Sequence, residues 1–231
     1  MTAEDGIVDR GTGSIAFAEF SDQQGTLIGS NLIIVHRLGM SDRLVYKHFL
    51  PRLIENDIIV IFSFPKKYIA AIQPVEIFRK KDWNIESLIP QNVYQIHTNS
   101  QEEIAKELSI IRVKIFPRSI ESVPIVLLVD TLHKFNPYLE NELRNIIHEA
   151  SFSNFSVWLH CPLHNIPIDL ITTIGNIIAI WPTENEIEII SRHLPIGEID
   201  LPGSTLSEGM MGYGYDLFGK KRLFYQKIGT E

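Results

Sequence analysis

Short runs of Ile, Val and Leu recur along this chain without polar interruption, and they constrain its fold more than any other feature. The runs cover residues 31–35, 58–64, 124–130, 156–160 and 176–181. A strand with one face in water alternates apolar with polar residues, whereas a strand covered on both faces is apolar throughout. The runs therefore predict strands of a parallel sheet whose two faces are both covered.

The segments between the runs have the apolar spacing of helices. Predicted helices cover residues 42–56, 102–116 and 138–152. Ser100 and Glu103 have the spacing of a capping box, in which the serine accepts a hydrogen bond from the amide three residues on and the glutamate bonds back. Asn136 followed by Pro137 fits an N-cap with proline in the first helical position. Strand and helix alternate, which predicts a right-handed doubly wound α/β domain.

The last part of the chain has a different pattern. Residues 177–194 contain two β-rich stretches around a Pro-Thr-Glu-Asn turn, and the alternating Glu and Ile of the second stretch predict a hairpin. Residues 203–219 form a glycine-dotted segment that leads to a predicted last strand at residues 222–228. We therefore expect antiparallel strands to extend one edge of the sheet. We expect a lead-in segment of residues 1–25 and a single domain of residues 26–231, with the hairpin and the glycine-rich tail at residues 176–231.

Charge and cysteine content narrow the classes of function. The chain has 28 Asp and Glu against 21 Lys and Arg, and its formal net charge of −7 repels nucleic acids and anionic membranes unless a local basic patch overrides it. Its single cysteine excludes an intrachain disulfide. No apolar stretch approaches the roughly 18 residues of a membrane span, and the first residues lack the apolar core of a signal peptide. We expect a cytoplasmic protein with no membrane partner.

The segment around the first run has the layout of a known class of proteins. Gly29 and Ser30 open the run, a loop follows it, and Phe49 and Leu50 lie in the second turn of the next predicted helix. A later run, Ile-Val-Leu-Leu-Val-Asp, ends at Asp130. This layout resembles the KaiC-like branch of the RecA superfamily of P-loop ATPases, with the related translocase branch as the alternative. The resemblance implies a RecA-like, doubly wound, mostly parallel central sheet with a C-terminal antiparallel hairpin extension.

The loop itself departs from the pattern that binds nucleotide in that family. A working P-loop, G-x-x-x-x-G-K-[ST], uses glycines so that backbone amides reach the phosphates, a lysine for their charge and a hydroxyl for Mg²⁺. Here the two glycines, the lysine and the hydroxyl residue are replaced in that order by His36, Ser41, Asp42 and Arg43, and Gly39 is the glycine that is left. The resemblance therefore implies a degenerate nucleotide site, in which a carboxylate competes with ATP.

Two further positions bear on catalysis. In the resembled family the second strand ends near an acidic residue that activates water, whereas residues 64–67 here read Phe-Pro-Lys-Lys. Asp130 takes the place of the Walker B carboxylate that holds Mg²⁺, although an Asp at the end of a strand is also a common turn former. We predict no catalytic residue, no metal and no cofactor. The alternative is that Arg37 or Arg43 holds the phosphates of ATP in place of the lysine.

Two short basic clusters are candidates for nucleic-acid contact. They consist of Lys66 and Lys67, and of Arg79, Lys80 and Lys81, with Tyr68 and Trp83 nearby in the sequence. Basic residues interleaved with aromatic ones can hold single-stranded nucleic acid through phosphate contacts and base stacking. Such clusters are more often a solvated face, so nucleic acid is a possible but not a favoured partner.

A third group of side chains is capable of binding metal. His160, Cys161 and His164 lie within five residues, directly after a predicted strand. Their spacing matches no structural zinc pattern, and no orienting carboxylate is identifiable for a cysteine nucleophile. We expect these residues to have structural roles.

Together these features predict a pseudo-ATPase that serves as a binding, regulatory or assembly subunit. The resemblance implies side-by-side packing with a second copy or with another RecA-like subunit, because RecA-like domains pack in this way. The alternatives are an ATPase with unusual phosphate contacts and a nucleic-acid-binding accessory protein similar to recombinase paralogues.

Overall fold

The structure is a computed structural model of the chain. It describes residues 31–36, 59–63, 77–80, 83–84, 86, 88–89, 92–96, 98, 100–115, 124–130, 134–150, 155–174, 176–180, 182–193, 209–215 and 221–227. The strands are β1 (Leu32–His36), β2 (Ile59–Ser63), β3 (Ile77–Lys80), β4 (Val93–Ile96), β5 (Ile125–Asp130), β6 (Phe155–His160), β7 (Ile177–Ile180), β8 (Gly209–Tyr215) and β9 (Lys221–Lys227). The helices in these ranges are α1 (Gln101–Lys114), α2 (Pro137–Ala150), α3 (Ile168–Ile174) and α4 (Glu184–His193), with a short 3₁₀ helix at Leu163–Asn165. None of these four helices has both the length and the apolar character that a membrane span requires.

The nine strands in the described ranges belong to one sheet, in the order β3-β4-β2-β5-β6-β1-β7-β8-β9. Strands β1 to β7 pair in parallel, whereas β8 is antiparallel to both β7 and β9. Each of the five apolar runs overlaps one of the parallel strands, and the predicted α/β fold with a parallel central sheet is confirmed. The proposed boundary between residues 25 and 26 lies outside the described residues and stays a prediction.

The central strands are buried on both faces. Ile33 and Val35 of β1 belong to a core that also contains side chains of all four helices. The intervening Leu32 and Ile34 are equally buried on the opposite face. Each such side chain contributes about 1.5–3 kcal/mol of hydrophobic free energy. This two-sided burial is the physical reason why the strand runs are apolar without alternation.

Two helices begin at the caps that the sequence predicts. The Asn136 side chain accepts a hydrogen bond from the Leu139 amide at 2.8 Å at the start of α2. Ser100 Oγ accepts from the Glu103 amide at 3.1 Å at the start of α1. The Glu103 carboxylate connects to the Ser100 amide only through Thr98. The Ser100 amide donates to the Thr98 hydroxyl, and that hydroxyl donates to the Glu103 carboxylate.

The predicted hairpin over residues 177–194 is wrong. Its first arm is strand β7, but its second arm is helix α4. Thr183 and Glu186 form a capping box, in which the Thr183 amide donates to Glu186 Oε2 at 2.8 Å and the Glu186 amide donates to Thr183 Oγ1 at 3.3 Å. The Glu-Ile alternation also places Ile187 and Ile190 one helical turn apart, and Ile190 is fully buried in the core.

The glycine-dotted segment of residues 203–219 contains strand β8 in its centre. Glycine weakens an isolated strand. Here β8 pairs on both sides, so that Gly212 aligns with Ile178 of β7 and with Phe224 of β9. These two ladders supply the hydrogen bonds that hold the segment extended. Strand β9 overlaps the predicted last strand over residues 222–227. The antiparallel pairs of the sheet are those of β8 with β7 and with β9.

Charged side chains connect the helices of the outer layer. Arg112 of α1 donates to Glu142 at 2.7 Å and to Glu149 at 2.9 Å, both on α2. The hydrogen bond to Glu142 raises the pKa of Arg112 above its ordinary value, which favours the charged guanidinium. Arg144 of α2 pairs in turn with Asp169 of α3. These contacts fix the three helices relative to one another.

Asn31 connects the first strand to the rest of the sheet. Its Oδ1 accepts a hydrogen bond from the Val157 amide of β6 at 2.9 Å, and its Nδ2 donates to the Ile147 carbonyl of α2 at 3.4 Å. Its own carbonyl accepts from the Asn176 side chain at 3.0 Å. One residue thus joins elements that lie 116 to 145 positions away in the sequence.

Replacing Asn31 by alanine removes two of these bonds and leaves the Val157 amide without its acceptor. We expect Asn31→Ala to lower the free energy of unfolding by about 1–3 kcal/mol. Urea denaturation monitored by circular dichroism measures this change. The matched control is Asn141→Ala on the exposed face of α2, which should change stability by less than about 0.5 kcal/mol. Equal effects of the two variants would contradict the role given to Asn31.

Candidate functional site

The carboxyl ends of β1, β5, β6 and β7 meet at one edge of the sheet. In the strand register His160, the last residue of β6, aligns with Ile34 of β1 on one side and with Asp130 of β5 on the other. His36, the last residue of β1, aligns with Ile180 at the end of β7. Because adjacent strands are about 4.8 Å apart, Asp130 ends about 10 Å from β1.

The chain changes direction at this edge. From β1 it continues to β2, which lies on the β5 side of the sheet, whereas from β6 it crosses β1 to reach β7. Neighbouring strands whose connections leave in opposite directions open a crevice at their carboxyl ends, and open α/β sheets bind ligands in such crevices. The loop that the sequence predicts as a degenerate nucleotide site starts at this crevice.

The structure places two of the predicted nucleotide-site residues at the crevice. His36 ends β1 and Asp130 ends β5, so the backbone brings both to the same edge. The other five predicted loop residues lie outside the described part of the chain: Arg37, Gly39, Ser41, Asp42 and Arg43. The replacement of the P-loop pattern in this loop stays a prediction from the sequence.

His160 lies beside the candidate nucleotide site, a position that the sequence analysis did not predict. It is fully buried, and it lies between the strand that leads into the loop and the strand that ends at Asp130. The sequence grouped it with Cys161 and His164 because they are close in the chain. Only the strand order, which puts β6 between β1 and β5, gives His160 this position.

His160, Cys161 and His164 occupy three different environments. Cys161 is buried in the core beneath the helices, and its amide donates to the Ile34 carbonyl at 3.3 Å. His160 follows Trp158 on the opposite face of β6, and His164 is exposed on the 3₁₀ helix. Within the described ranges no three His, Cys, Asp or Glu side chains are placed to hold a metal ion.

Only part of one basic cluster falls on a described strand. Arg79 and Lys80 belong to β3, the outermost strand on that side. Lys66, Lys67 and Lys81 lie outside the described residues. Trp83 is only 1% exposed, and its indole N–H donates to Glu107 at 2.6 Å, so it offers no face on which a base could stack. The prediction that Trp83 contributes to a site for single-stranded nucleic acid is therefore wrong.

A groove of about 630 Å³ runs between the first two turns of α1 and α2. It is lined by Glu102, Ala105, Lys106, Ser109, Pro137, Tyr138, Asn141 and Glu142. The sequence gave no signal for it, because its two walls are separate in the chain and meet only through helix packing. The groove has acidic and basic side chains around the exposed Tyr138, so its lining favours no single class of ligand.

Comparison with known proteins identifies the fold. No known protein-family profile matches the sequence, and no curated protein matches it. The chain is similar in structure to the genome packaging NTPase B204 from Sulfolobus turreted icosahedral virus 2 in complex with AMPPCP, with a TM-score of 0.57 and 15% identity, covering 85% of this chain and 97% of that one. The DNA-packaging ATPase B204 from Sulfolobus turreted icosahedral virus gives a TM-score of 0.54 and 14% identity, covering 84% and 96%.

The chain has a P-loop NTPase-like α/β fold. A third similar structure is EssC (ATPases 2 and 3) from Geobacillus thermodenitrificans, with a TM-score of 0.48 and 14% identity over 86% of this chain and 37% of that one. At these identities the comparisons concern the fold alone. The chemistry at the crevice has to be argued from this chain's own residues.

The burial of Cys161 gives a prediction about its reactivity. The native protein should react with a disulfide reagent such as Ellman's reagent only through unfolding, because the thiol lies in the core. The labelling rate should rise steeply with denaturant and should follow the unfolded fraction seen by circular dichroism. Complete reaction of the native protein within seconds would contradict this placement and would reopen a catalytic role for the thiol.

Proposed function

We propose that this chain is a RecA/KaiC-like pseudo-ATPase that acts as a binding, regulatory or assembly subunit. The observation that carries the proposal is Asp42, which stands at the lysine position of the loop that follows β1. The strands around that loop are those of a P-loop NTPase-like fold. The proposal is that evolution kept this arrangement of strands and lost the loop that holds phosphate.

Electrostatics argue against tight ATP binding at this loop. A lysine about 4 Å from a phosphate charge gains about 4 kcal/mol at an effective dielectric constant of about 20, and a carboxylate in its place reverses the sign. Arg37 and Arg43 supply compensating charge, but they do not replace the lost glycines at positions 36 and 41. Those glycines allow backbone amides to approach the phosphates, so their loss is harder to offset than the loss of the lysine charge.

Hydrolysis also needs a group that activates water, and the segment after β2 offers no acid. Residues 59–67 contain no Asp or Glu, and two lysines follow the strand. Asp130 at the end of β5 is the remaining candidate ligand for Mg²⁺. Alone it supplies one carboxylate, whereas Mg²⁺ in nucleotide sites also depends on the phosphates themselves.

The second candidate function is a nucleotide-binding ATPase that holds phosphate through Arg37 or Arg43. The position of Asp130 favours it, as does the name of the similar protein B204, an NTPase whose structures contain AMPPCP and ATP-gammaS. In either function the partner is a second copy of the chain or another RecA-like subunit, because such domains pack side by side with the nucleotide site at the interface.

Restoring the loop tests whether its sequence is what prevents nucleotide binding. A variant with His36→Gly, Ser41→Gly, Asp42→Lys and Arg43→Ser should gain stability in Mg-ATP, by about 2.7 kcal/mol when ATP is at 100 times its Kd. Thermal unfolding with and without Mg-ATP measures this gain. The matched control, Lys106→Glu on α1, should show no gain.

Turnover assays separate the two candidate functions. The pseudo-ATPase proposal expects no Mg²⁺-dependent ATP hydrolysis above background from the unmodified chain, and no change on Asp130→Asn. Hydrolysis that Asp130→Asn abolishes would overturn it in favour of the ATPase. A loss of that activity on Arg37→Ala or Arg43→Ala would then identify the arginine that holds the phosphates.

A further inference from the structure

Exposed apolar side chains are concentrated on the outward face of helices α1 and α2. Among the described residues, this face holds three of the five large apolar side chains that are exposed, namely Ile110, Val113 and Tyr138. Val113 is 65% exposed and Tyr138 is 68% exposed. Single apolar residues scattered over a surface need no explanation, whereas a group of them marks an interaction site. The proposed function gives this face no role.

One stripe of α1 runs along the groove between α1 and α2. This stripe, the α1 seam, consists of residues spaced by four, three and four positions: Glu102, Lys106, Ser109 and Val113. That spacing is typical of a helix face that packs against a second helix. Ser109 is half-buried, and the other three side chains of the seam are exposed. The seam is therefore accessible to a helix of another molecule.

The groove provides the hole that such helix packing requires. Its α1 wall is formed by Glu102, Ala105, Lys106 and Ser109. In knobs-into-holes packing, one side chain of a helix enters a hole formed by four residues of the facing helix. Because Ala105 and Ser109 are small, this hole has room for a branched apolar side chain. A mixed lining of charged residues and a tyrosine is also ordinary for a protein interface.

Ion pairs hold the groove in shape. Arg112 of α1 donates to Glu142 of α2 at 2.7 Å and to Glu149 of α2 at 2.9 Å. Glu142 is also part of the groove lining. A preformed surface loses less conformational entropy when a partner binds, so the groove is suited to a rigid partner such as a helix.

The charges of α1 indicate which helix fits. Its first turn is acidic, with Glu102 and Glu103, and its last turn is basic, with Arg112 and Lys114. A second α1 that runs antiparallel places its Lys114 beside Glu102 and its Ile110 over the hole at Ala105. A two-fold axis that passes between residues 107 and 108 repeats both contacts. The α1 seam is thus complementary to itself in charge and in shape.

We propose that the α1 seam and the groove beside it form a two-fold contact between two copies of this chain. The two α1 helices lie antiparallel, the apolar side chains of each copy enter the groove of the other, and Glu102–Lys114 pairs form at both ends. None of these residues belongs to the crevice after β1, so the contact goes beyond the proposed function and does not depend on nucleotide. Two helices of 14 residues bury less than the area of about 1,200 Å² typical of stable complexes. We therefore expect a weak dimer, with a dissociation constant of about 10–100 μM.

Sedimentation velocity of the full chain at about 1–300 μM, a range that brackets the expected constant, tests the proposal. The test variants are Glu102→Lys and Lys114→Glu. In a two-fold contact each variant alone brings like charges together twice, so each should dimerise at least about tenfold more weakly than the unmodified chain. A mixture of the two variants contains two attractive pairs again and should form a heterodimer with about the original affinity.

The matched control variants are Glu184→Lys and Arg192→Glu. These residues are exposed in the first and last turns of α4, so the changes in charge and in helix-dipole energy are the same but lie away from the α1 seam. They should change the dimerisation constant by less than about threefold. Circular dichroism verifies that every variant is folded. Val113→Ser replaces any charge variant that does not fold, and it should also weaken dimerisation because it removes apolar contact from both copies.

Three results would overturn the proposal: a monomer at the highest concentration, a mixture of the two test variants that does not associate, or equal weakening by the α4 variants. Association that the α1 variants leave unchanged would overturn it as well. The copies would then pack through another face, as the proposed function expects of RecA-like subunits, and that function would be untouched.

Discussion

Strand β1 depends on hydrogen bonds to strands that follow it by more than 100 residues, and the sheet is built around it. It pairs with β6 on one side and with β7 on the other, and its side chains are buried on both faces. Asn31 bridges 126 residues to Val157 and 145 residues to Asn176 at the amino end of these strands. Such non-local pairing carries a large loop-closure cost, which the two-sided burial of the strands offsets.

The position of the crevice follows from this arrangement of the backbone, and it is independent of which side chains occupy the loop after β1. The order of β7, β1, β6 and β5 fixes where the loop begins, where Asp130 ends β5 and where His160 is buried between them. A chain can therefore lose the residues that hold phosphate and keep the fold. This separation of stability from chemistry makes the proposed replacement of the P-loop lysine by Asp42 compatible with an intact sheet.

The sequence predicts those parts of the fold that have a clear local signal in the chain. Unbroken apolar runs identify five of the parallel strands, and Ser100 and Asn136 identify two helix starts. The short strands β3 and β4 carry polar and charged residues, and they are strands because of their neighbours. The sequence analysis predicts a strand in place of helix α4, because the Glu-Ile alternation fits the period of a strand as well as that of a helix. The capping box of Thr183 and Glu186 is a helix-start signal that the sequence also contains. Strand β8 is rich in glycine and depends on pairing with β7 and β9. His160 gains its place only from strand order, which no local pattern encodes.

The central claim is that this P-loop NTPase-like fold has lost its nucleotide. Equilibrium titration of the unmodified chain with a fluorescent ATP analogue, with and without Mg²⁺ at physiological salt, tests it most directly. The account predicts no saturable binding up to millimolar nucleotide. Saturable binding at micromolar concentrations that Mg²⁺ strengthens would contradict it, and it would mean that the altered loop after β1 still holds phosphate.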